Sequence, residues 1–351
     1  MSRGTLFERL ETLSEHDLVF EGEALGSTGG RRSRKIRFND RSRVVLAFDL
    51  GQTHARVAVL DLSGEELRAS SQRLVINQDA EPVFAPLLAV ARDLLQQTRH
   101  EVLIGVGVAV PAPVDVATGA AVHATTIPRW APDAVQDQVG RHWQVPLVTE
   151  NDARASAVGE SREGETLVYV KVATGIGCGI VADGRVQRGA DGAAGDIGHI
   201  LLDPTGPRCR CGRHGCLAAF ASGAALLDRL GTAELSSLEE LSRAAERGDS
   251  AVLAAISDAG EQLGRALAAT VATVNPHRLV LGGILGRLPT LVATVDARVR
   301  RDVVDRVADR LVIEASPLGE TAGTRGLTRL VVGRVYAPDA VDAAVEASPA
   351  H

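Results

Sequence analysis

The sequence predicts an α/β protein built as two related lobes facing a cleft. Three observations carry this. Apolar runs of strand length are followed by a helix and a further strand from Arg43 to Val110, the alternation of an α/β sheet. A comparable series begins again near Asn151. Three Gly/Thr turns close buried strands, as expected where a ligand lies across strand ends. A chain of 351 residues is also too long for one ordinary core, and 45% apolar with 23% charged residues is the balance of a soluble globular protein.

In chain order, Leu6, Leu10 and Leu13 have helical spacing, so Arg3 to Leu13 is a predicted helix. Asp17 to Phe20 is a short strand, and a flexible Gly/Ser turn leads to a second, Arg-rich strand ending at Phe38. Between Gly29 and Arg43 stand seven cationic residues and one acidic residue, which suits either a solvated linker or a surface for DNA phosphates. The net charge of −6 excludes a general polyanion binder, so nucleic-acid contact would have to come from this local patch. No apolar run reaches membrane-spanning length and no signal-peptide core is seen, so a cytoplasmic location is expected. Lys35 and Lys171 are the only lysines, which reads as compositional bias.

Strands are predicted at 44–50, 55–60, 67–76 and 102–110, with a helix near Pro86 to Gln97. The strand Pro146 to Thr149 runs into a helix opening at Asn151-Asp152. Strands at 166–172 and 177–182 follow, then a helical section from Leu217 to Val274, a strand at 278–281, and helices near 288–303 and 322–335.

Cys209, Cys211 and Cys216 fall within eight residues, and His199 stands ten residues before the first of them. One imidazole and three thiolates form a closed tetrahedral set for a structural zinc ion, and Gly212 and Gly215 allow the loop to fold tightly. The alternatives are reduced thiols or a disulfide with a spare, and His214 is a possible substitute ligand. Cys178, in an apolar run, is a core residue. Asp49, Gly51 and Thr53 make a strand-end turn suited to a phosphate or simply to turning; Thr174 with Gly175, and Gly282 with Gly283, make two more. Asn151 or Asp152 could be a plain helix N-cap, but as a pair at a cleft edge they suit hydroxyl recognition, with Asp152 as acceptor or general base. Gly189 to His199 is a small-residue stretch that would let backbone approach a compact polar ligand, with Asp196 as a second carboxylate.

Taken together and in this order, Asp-Leu-Gly-x-Thr, Glu-Asn-Asp-Ala, Thr-Gly-Ile-Gly, Arg-Gly-Ala-Asp-Gly-Ala-Ala-Gly-Asp-Ile-Gly-His and Cys-x-Cys-Gly-x-x-Gly-Cys-Leu resemble the ROK family of repressors, open reading frames and sugar kinases. The resemblance spans nearly the whole chain. It implies an actin-like (RNase H-like) ATPase/sugar-kinase fold, a zinc held by His199, Cys209, Cys211 and Cys216, and a carbohydrate or sugar-phosphate site at Asn151, Asp152, Asp196 and His199, with Pro111 to Asp115 lining the same cleft. In the family's kinases, Asp152 would be the base, with Mg²⁺ and ATP between the glycine turns. Homodimers or homotetramers are implied.

The departures favour a regulator. Where family kinases have Asp-x-Gly-Gly-Thr-Lys, this chain has Gln52 and His54; Ala173 replaces a Gly, Ala218 a Glu, and Asp196 the kinases' usual Glu. Residues 3–38 resemble the last helix and wing of a winged helix-turn-helix, without the motif's first helices. Arg31, Arg32, Arg34 and Lys35 would then contact operator phosphates. The expected layout is a winged-helix remnant at 1–42, a first lobe at 43–150 to which 322–351 return, and a second lobe at 151–321 carrying the zinc loop and oligomerisation helices. The expected function is a sugar-responsive transcriptional regulator without membrane contact; the alternative is an ATP-dependent kinase of hexoses or N-acetyl amino sugars.

Overall fold

The computed structural model describes residues 3–16, 18–24, 34–40, 43–98, 102–122, 125–231 and 235–347. Helix α1 (Arg3–Glu15) precedes an antiparallel hairpin of β1 (Val19–Ala24) and β2 (Arg34–Phe38). The first lobe contains β3 (Arg43–Leu50), β4 (His54–Asp61), β5 (Glu66–Arg73), α2 (Ala80–Gln96), β6 (Val102–Val110), α3 (Ala134–Val139) and β7 (Leu147–Asn151). Helix α4 (Asp152–Glu160) leads to the second lobe, with β8 (Leu167–Val172), β9 (Ile176–Ala182) and β10 (Arg185–Val186). There follow α5 (Leu217–Ala221), α6 (Gly223–Leu230), α7 (Leu238–Glu246), α8 (Ser250–Val274), β11 (Arg278–Gly282), α9 (Gly283–Gly286), α10 (Pro289–Asp302), α11 (Asp305–Ala308) and β12 (Val312–Ala315). The chain closes with α12 (Ala322–Val335) and α13 (Pro338–Ala347).

The two sheets share one topology. The first has the order β5-β4-β3-β6-β7 and the second β10-β9-β8-β11-β12, each five-stranded among the described residues. In both, the first three strands form an antiparallel meander and the last two join in parallel. The repetition explains why the sequence reads as two similar halves. β3 and β11 are almost wholly buried, hence their near-continuous apolar runs.

Helices α4 and α12 cross between the sheets. α4 lies on β9 and β8, and α12 lies on β6 and β3, because glycines on the strands leave room for them. A Cβ at Gly179 would stand 2.6 Å from that of Ala157, and one at Gly107 would stand 2.8 Å from that of Leu327. The helices approach closely at Gly159 and Gly326, where any Cβ would overlap the carbonyl oxygens of Ala322 and Ala155 respectively. Gly326→Ala is therefore expected to cost about 1–3 kcal/mol through overpacking. A denaturant midpoint unchanged from that of the parent would contradict the close crossing.

Several boundaries differ from the sequence reading. Helix α2 starts at Ala80 and carries Pro86 inside it, because the buried face of Val83, Phe84, Leu87, Leu88, Ala91 and Leu94 outweighs the missing amide. The section 217–274 is not one run but α5 to α8, and the third glycine turn opens a short helix, α9. The strand β12 was missed because it is only four residues long and half-exposed. The N-terminal hairpin is fastened to the first lobe. Phe38 stacks edge-on with Tyr336 at 4.7 Å, and the Arg43 guanidinium donates to the Tyr336 hydroxyl and the His16 carbonyl. No described helix is long and apolar enough to cross a membrane.

Candidate functional site

A cleft of about 750 Å³ opens between the sheets at the strand ends. Pro111, Asn151, Asp152, Asp196 and His199 line it, as do Gly51, Thr53, Thr174 and Gly175 from the first two glycine turns. After Pro111, Ala112 and Pro113 continue the wall, but Val114 is buried, and Asp115 closes its own turn by accepting from the Thr118 hydroxyl and amide. That bonding holds the Asp115 carboxyl below its ordinary range, and this part of the cleft wall ends at Pro113 rather than at Asp115. Gly282 and Gly283 do not line the cleft. Their lack of side chains is required instead by Tyr169, whose ring covers Gly282, and by the Val172 carbonyl against Gly283, which has φ +77°.

His199, Cys209, Cys211 and Cys216 converge. Their ligating atoms lie within 4.8 Å of one another and could hold a metal ion. Cys209 Sγ is 3.6 Å from His199 Nδ1, and the Sγ atoms of Cys211 and Cys216 are 3.7 Å apart. Gly212 and Gly215 have φ of +91° and +68°, so the left-handed turns they were expected to provide are present. His214 is elsewhere, its Nδ1 3.3 Å from the Gly206 carbonyl. Cys178 is buried, which pushes its thiol up to about 12. With Nδ1 turned to the cysteines, His199 presents Nε2 toward Asp196, 4.0 Å from Oδ1.

Asn151 is the N-cap of α4, its side-chain Oδ1 accepting from the amides of Ala153 and Arg154, both at 3.1 Å. Its Nδ2 donates to the Ala112 carbonyl and to Asp152 Oδ1. The plain capping role thus accounts for most of Asn151's hydrogen bonding. Asp152 accepts from the Ala153 amide and pairs with Lys171, Nζ to Oδ2 at 2.9 Å. The same Nζ is 3.8 Å from Asp49 Oδ1, an atom buried without a hydrogen-bond partner. Burial raises the Asp49 pKa, with Lys171 opposing and Asp152 reinforcing. Burial works against the Lys171 ammonium, but Asp152 and Asp49 outweigh it and hold its pKa above the ordinary lysine value.

The small-residue stretch before His199 lines the cleft, and its glycines also have a packing role. A Cβ at Gly192, φ +84°, would overlap the Val114 carbonyl, and one at Gly195, φ +90°, the Cys178 carbonyl. These glycines let the loop dock on the protein's own backbone, leaving the half-exposed Asp196 side chain at the cleft. Beneath the loop, buried Glu150 binds Arg154 Nε and Arg188 Nε, each at 2.7 Å, and Arg154 Nη1 donates to the Gly192 carbonyl. Glu150, Arg154, Arg188 and Lys171 were not singled out from the sequence. The available signal was position: Lys171 interrupts a buried strand in a chain with one other lysine.

Of the basic residues, Arg31 and Arg32 lie outside the described residues. Arg34 begins β2, and Lys35 on the same strand is exposed.

A model described as the ROK family matches residues 45–334. The xylose repressor of Bacillus subtilis is 27% identical over 349 residues, covering 95% of this chain and 88% of that one. A solved ROK family transcriptional regulator, a homologue of the E. coli MLC protein, superposes with a TM-score of 0.82 at 25% identity, covering 99% and 92% of the two chains. A ROK family glucokinase from Streptomyces griseus, solved with glucose and AMPPNP, gives 0.71 at 25% identity over 82% of this chain and 98% of that one.

Proposed function

The chain belongs to the ROK family, and from that premise we propose that it is a sugar-responsive transcriptional regulator. A carbohydrate or sugar phosphate enters the cleft, the two lobes change their closure, and the N-terminal hairpins of a homodimer or homotetramer move relative to operator half-sites in the cytoplasm. The observation that carries this reading is the pairing of a polar cleft lined by Asp152, Asp196 and His199 with a basic hairpin fastened to the first lobe by Phe38 and Arg43. Asp196 and the free Nε2 of His199 are the hydroxyl partners, Pro111 is an apolar wall for a sugar face, and Asn151 holds the α4 terminus in register beside them. Arg31, Arg32, Arg34 and Lys35 bind phosphates and set affinity.

The donor set of His199, Cys209, Cys211 and Cys216 fits zinc, which would be held in a structural role. Arms of about 2.3 Å to sulfur and 2.0–2.1 Å to nitrogen give tetrahedral edges of about 3.8 and 3.6 Å. The Cys211–Cys216 and Cys209–His199 separations of 3.7 and 3.6 Å match those edges. With four protein ligands no position would be open for water, so His199, Cys209, Cys211 and Cys216 would hold the ion in a structural role that fixes the His199 ring, without hydrolysis.

The second reading is an ATP-dependent sugar kinase with Asp152 as base. It is favoured by the opening of Asp152 onto the cleft and by likeness to the glucokinase. In that case Gly51, Thr53, Thr174 and Gly175, the turn residues that line the cleft, would face Mg²⁺ and ATP, whereas Gly282 and Gly283 would take no part.

Genomic fragments selected by the protein, titrated by anisotropy at two salt concentrations against pentoses, hexoses and N-acetyl amino sugars, separate the two readings. For a regulator, one sugar should shift DNA affinity at least about fivefold. Asp196→Ala should weaken the response to that sugar about tenfold or more while sparing sugar-free DNA binding. DNA affinity indifferent to every sugar, together with ADP release that vanishes in Asp152→Ala, would establish the kinase instead.

A further inference from the structure

Two carboxylates from different elements, Asp49 on β3 and Asp152 in the first turn of α4, share one ammonium, that of Lys171; Asp152 and Lys171 line the cleft and Asp49 is largely buried beside them. Such an arrangement beside a phosphate turn suits a hard divalent cation. Here the residues present do not fit one. The ammonium of Lys171 stands between them, 2.9 Å from Asp152 Oδ2 and 3.8 Å from Asp49 Oδ1, with only 13% of its side chain exposed. Two further features make the neighbouring turns poorer hosts for a nucleotide phosphate. The Gln52 amide reaches across from the first lobe until its Nε2 is 3.3 Å from where a Cβ of Gly175 would be. The first amides of α6, which would otherwise point at an anion, are spent on the Thr174 turn: Gly223 N donates to the Ala173 carbonyl at 2.8 Å and Ala224 N to that of Thr174 at 3.2 Å.

We propose that Lys171 is a built-in cation, occupying the place of a divalent metal between Asp49 and Asp152 and tying β8 of the second lobe to β3 of the first. The cleft then holds its ligand without a metal–nucleotide complex. The ammonium is also a point of contact between the lobes that any closure must accommodate. None of this depends on which ligand enters the cleft or on DNA binding, and the test uses neither.

The probe is Mn²⁺ alone, followed by its EPR signal and by the protein's unfolding midpoint. For the parent protein, no Mn²⁺ binding is expected at the cleft and the midpoint should move by less than about 1 °C. Lys171→Ala removes the cation and leaves two half-buried like charges, so its midpoint should fall in metal-free buffer. Mn²⁺ at about a hundredfold over its dissociation constant should restore several degrees, with one ion bound per vacated site. Lys171→Ala combined with Asp49→Asn should fold and gain no Mn²⁺ binding, which separates the cleft from ions bound elsewhere. The proposal is overturned by Mn²⁺ binding to the parent that Asp152→Ala abolishes, or by a folded Lys171→Ala indifferent to Mn²⁺. A Lys171→Ala protein that fails to fold even with Mn²⁺ overturns it too, because the carboxylates could not then hold a replacement ion.

Discussion

Replacing Cys216 with serine is expected to empty the metal site and lower the unfolding midpoint by on the order of 10 °C. Cys216 is buried, immediately precedes α5, and meets Cys211 at 3.7 Å. Its loss leaves three ligands, and Ser Oγ is a poor zinc donor beside thiolates. The consequence is not confined to the loop. The His199 ring is turned so that Nδ1 faces Cys209, and that orientation is what aims Nε2 at Asp196. Without the ion the ring is free to rotate, so the ligand response should be lost along with stability. Elemental analysis should give about one zinc per chain for the parent and for Cys178→Ser, whose sulfur lies outside the cluster, and less than about a tenth of that for Cys216→Ser. A Cys216→Ser protein with its full zinc complement would remove the site from the account.

Glu150→Ala should be the most damaging single change near the cleft, costing about 3–5 kcal/mol. Glu150 and Arg154 are 1% and 2% exposed, so truncating the carboxylate strands a buried guanidinium. Arg154 also donates to the Gly192 carbonyl, and its Nη2 already lacks a partner. Residues 189–196 should therefore exchange their amide hydrogens faster, and sugar affinity should fall with them. Arg188→Ala removes a partner that is 35% exposed and leaves the Glu150–Arg154 pair in place, so it should cost less, about 1–3 kcal/mol, for the bond lost at the buried Glu150 Oε2. Equal losses for the two variants would mean that Glu150 acts through something other than Arg154.

The two-lobed α/β fold was legible because β3, β6, β8 and β11 are buried and carry nearly unbroken apolar runs. The His/Cys cluster that could hold a metal was legible because three of its four members are close in sequence. What escaped was whatever depends on distant elements meeting. Nothing local to Lys171 says that it will reach a carboxylate on α4 and another on β3. Similarly, Gly192 and Gly195 look like residues that make way for a ligand, and only the folded chain shows them docking on Val114 and Cys178. The sequence offered Asn151 both as an N-cap and as a hydroxyl binder; the cap is present, and only its bond to Ala112, thirty-nine positions away, could not be read locally.

The crossed pair α4 and α12 makes the halves of this polypeptide mutually dependent. The helix that leaves the first sheet roofs the second, and the helix that leaves the second roofs the first. Each half alone would bare the apolar strand face that the other normally shelters, so each is expected to be less stable when separated. Heat or denaturant should consequently dismantle both together in a single cooperative event.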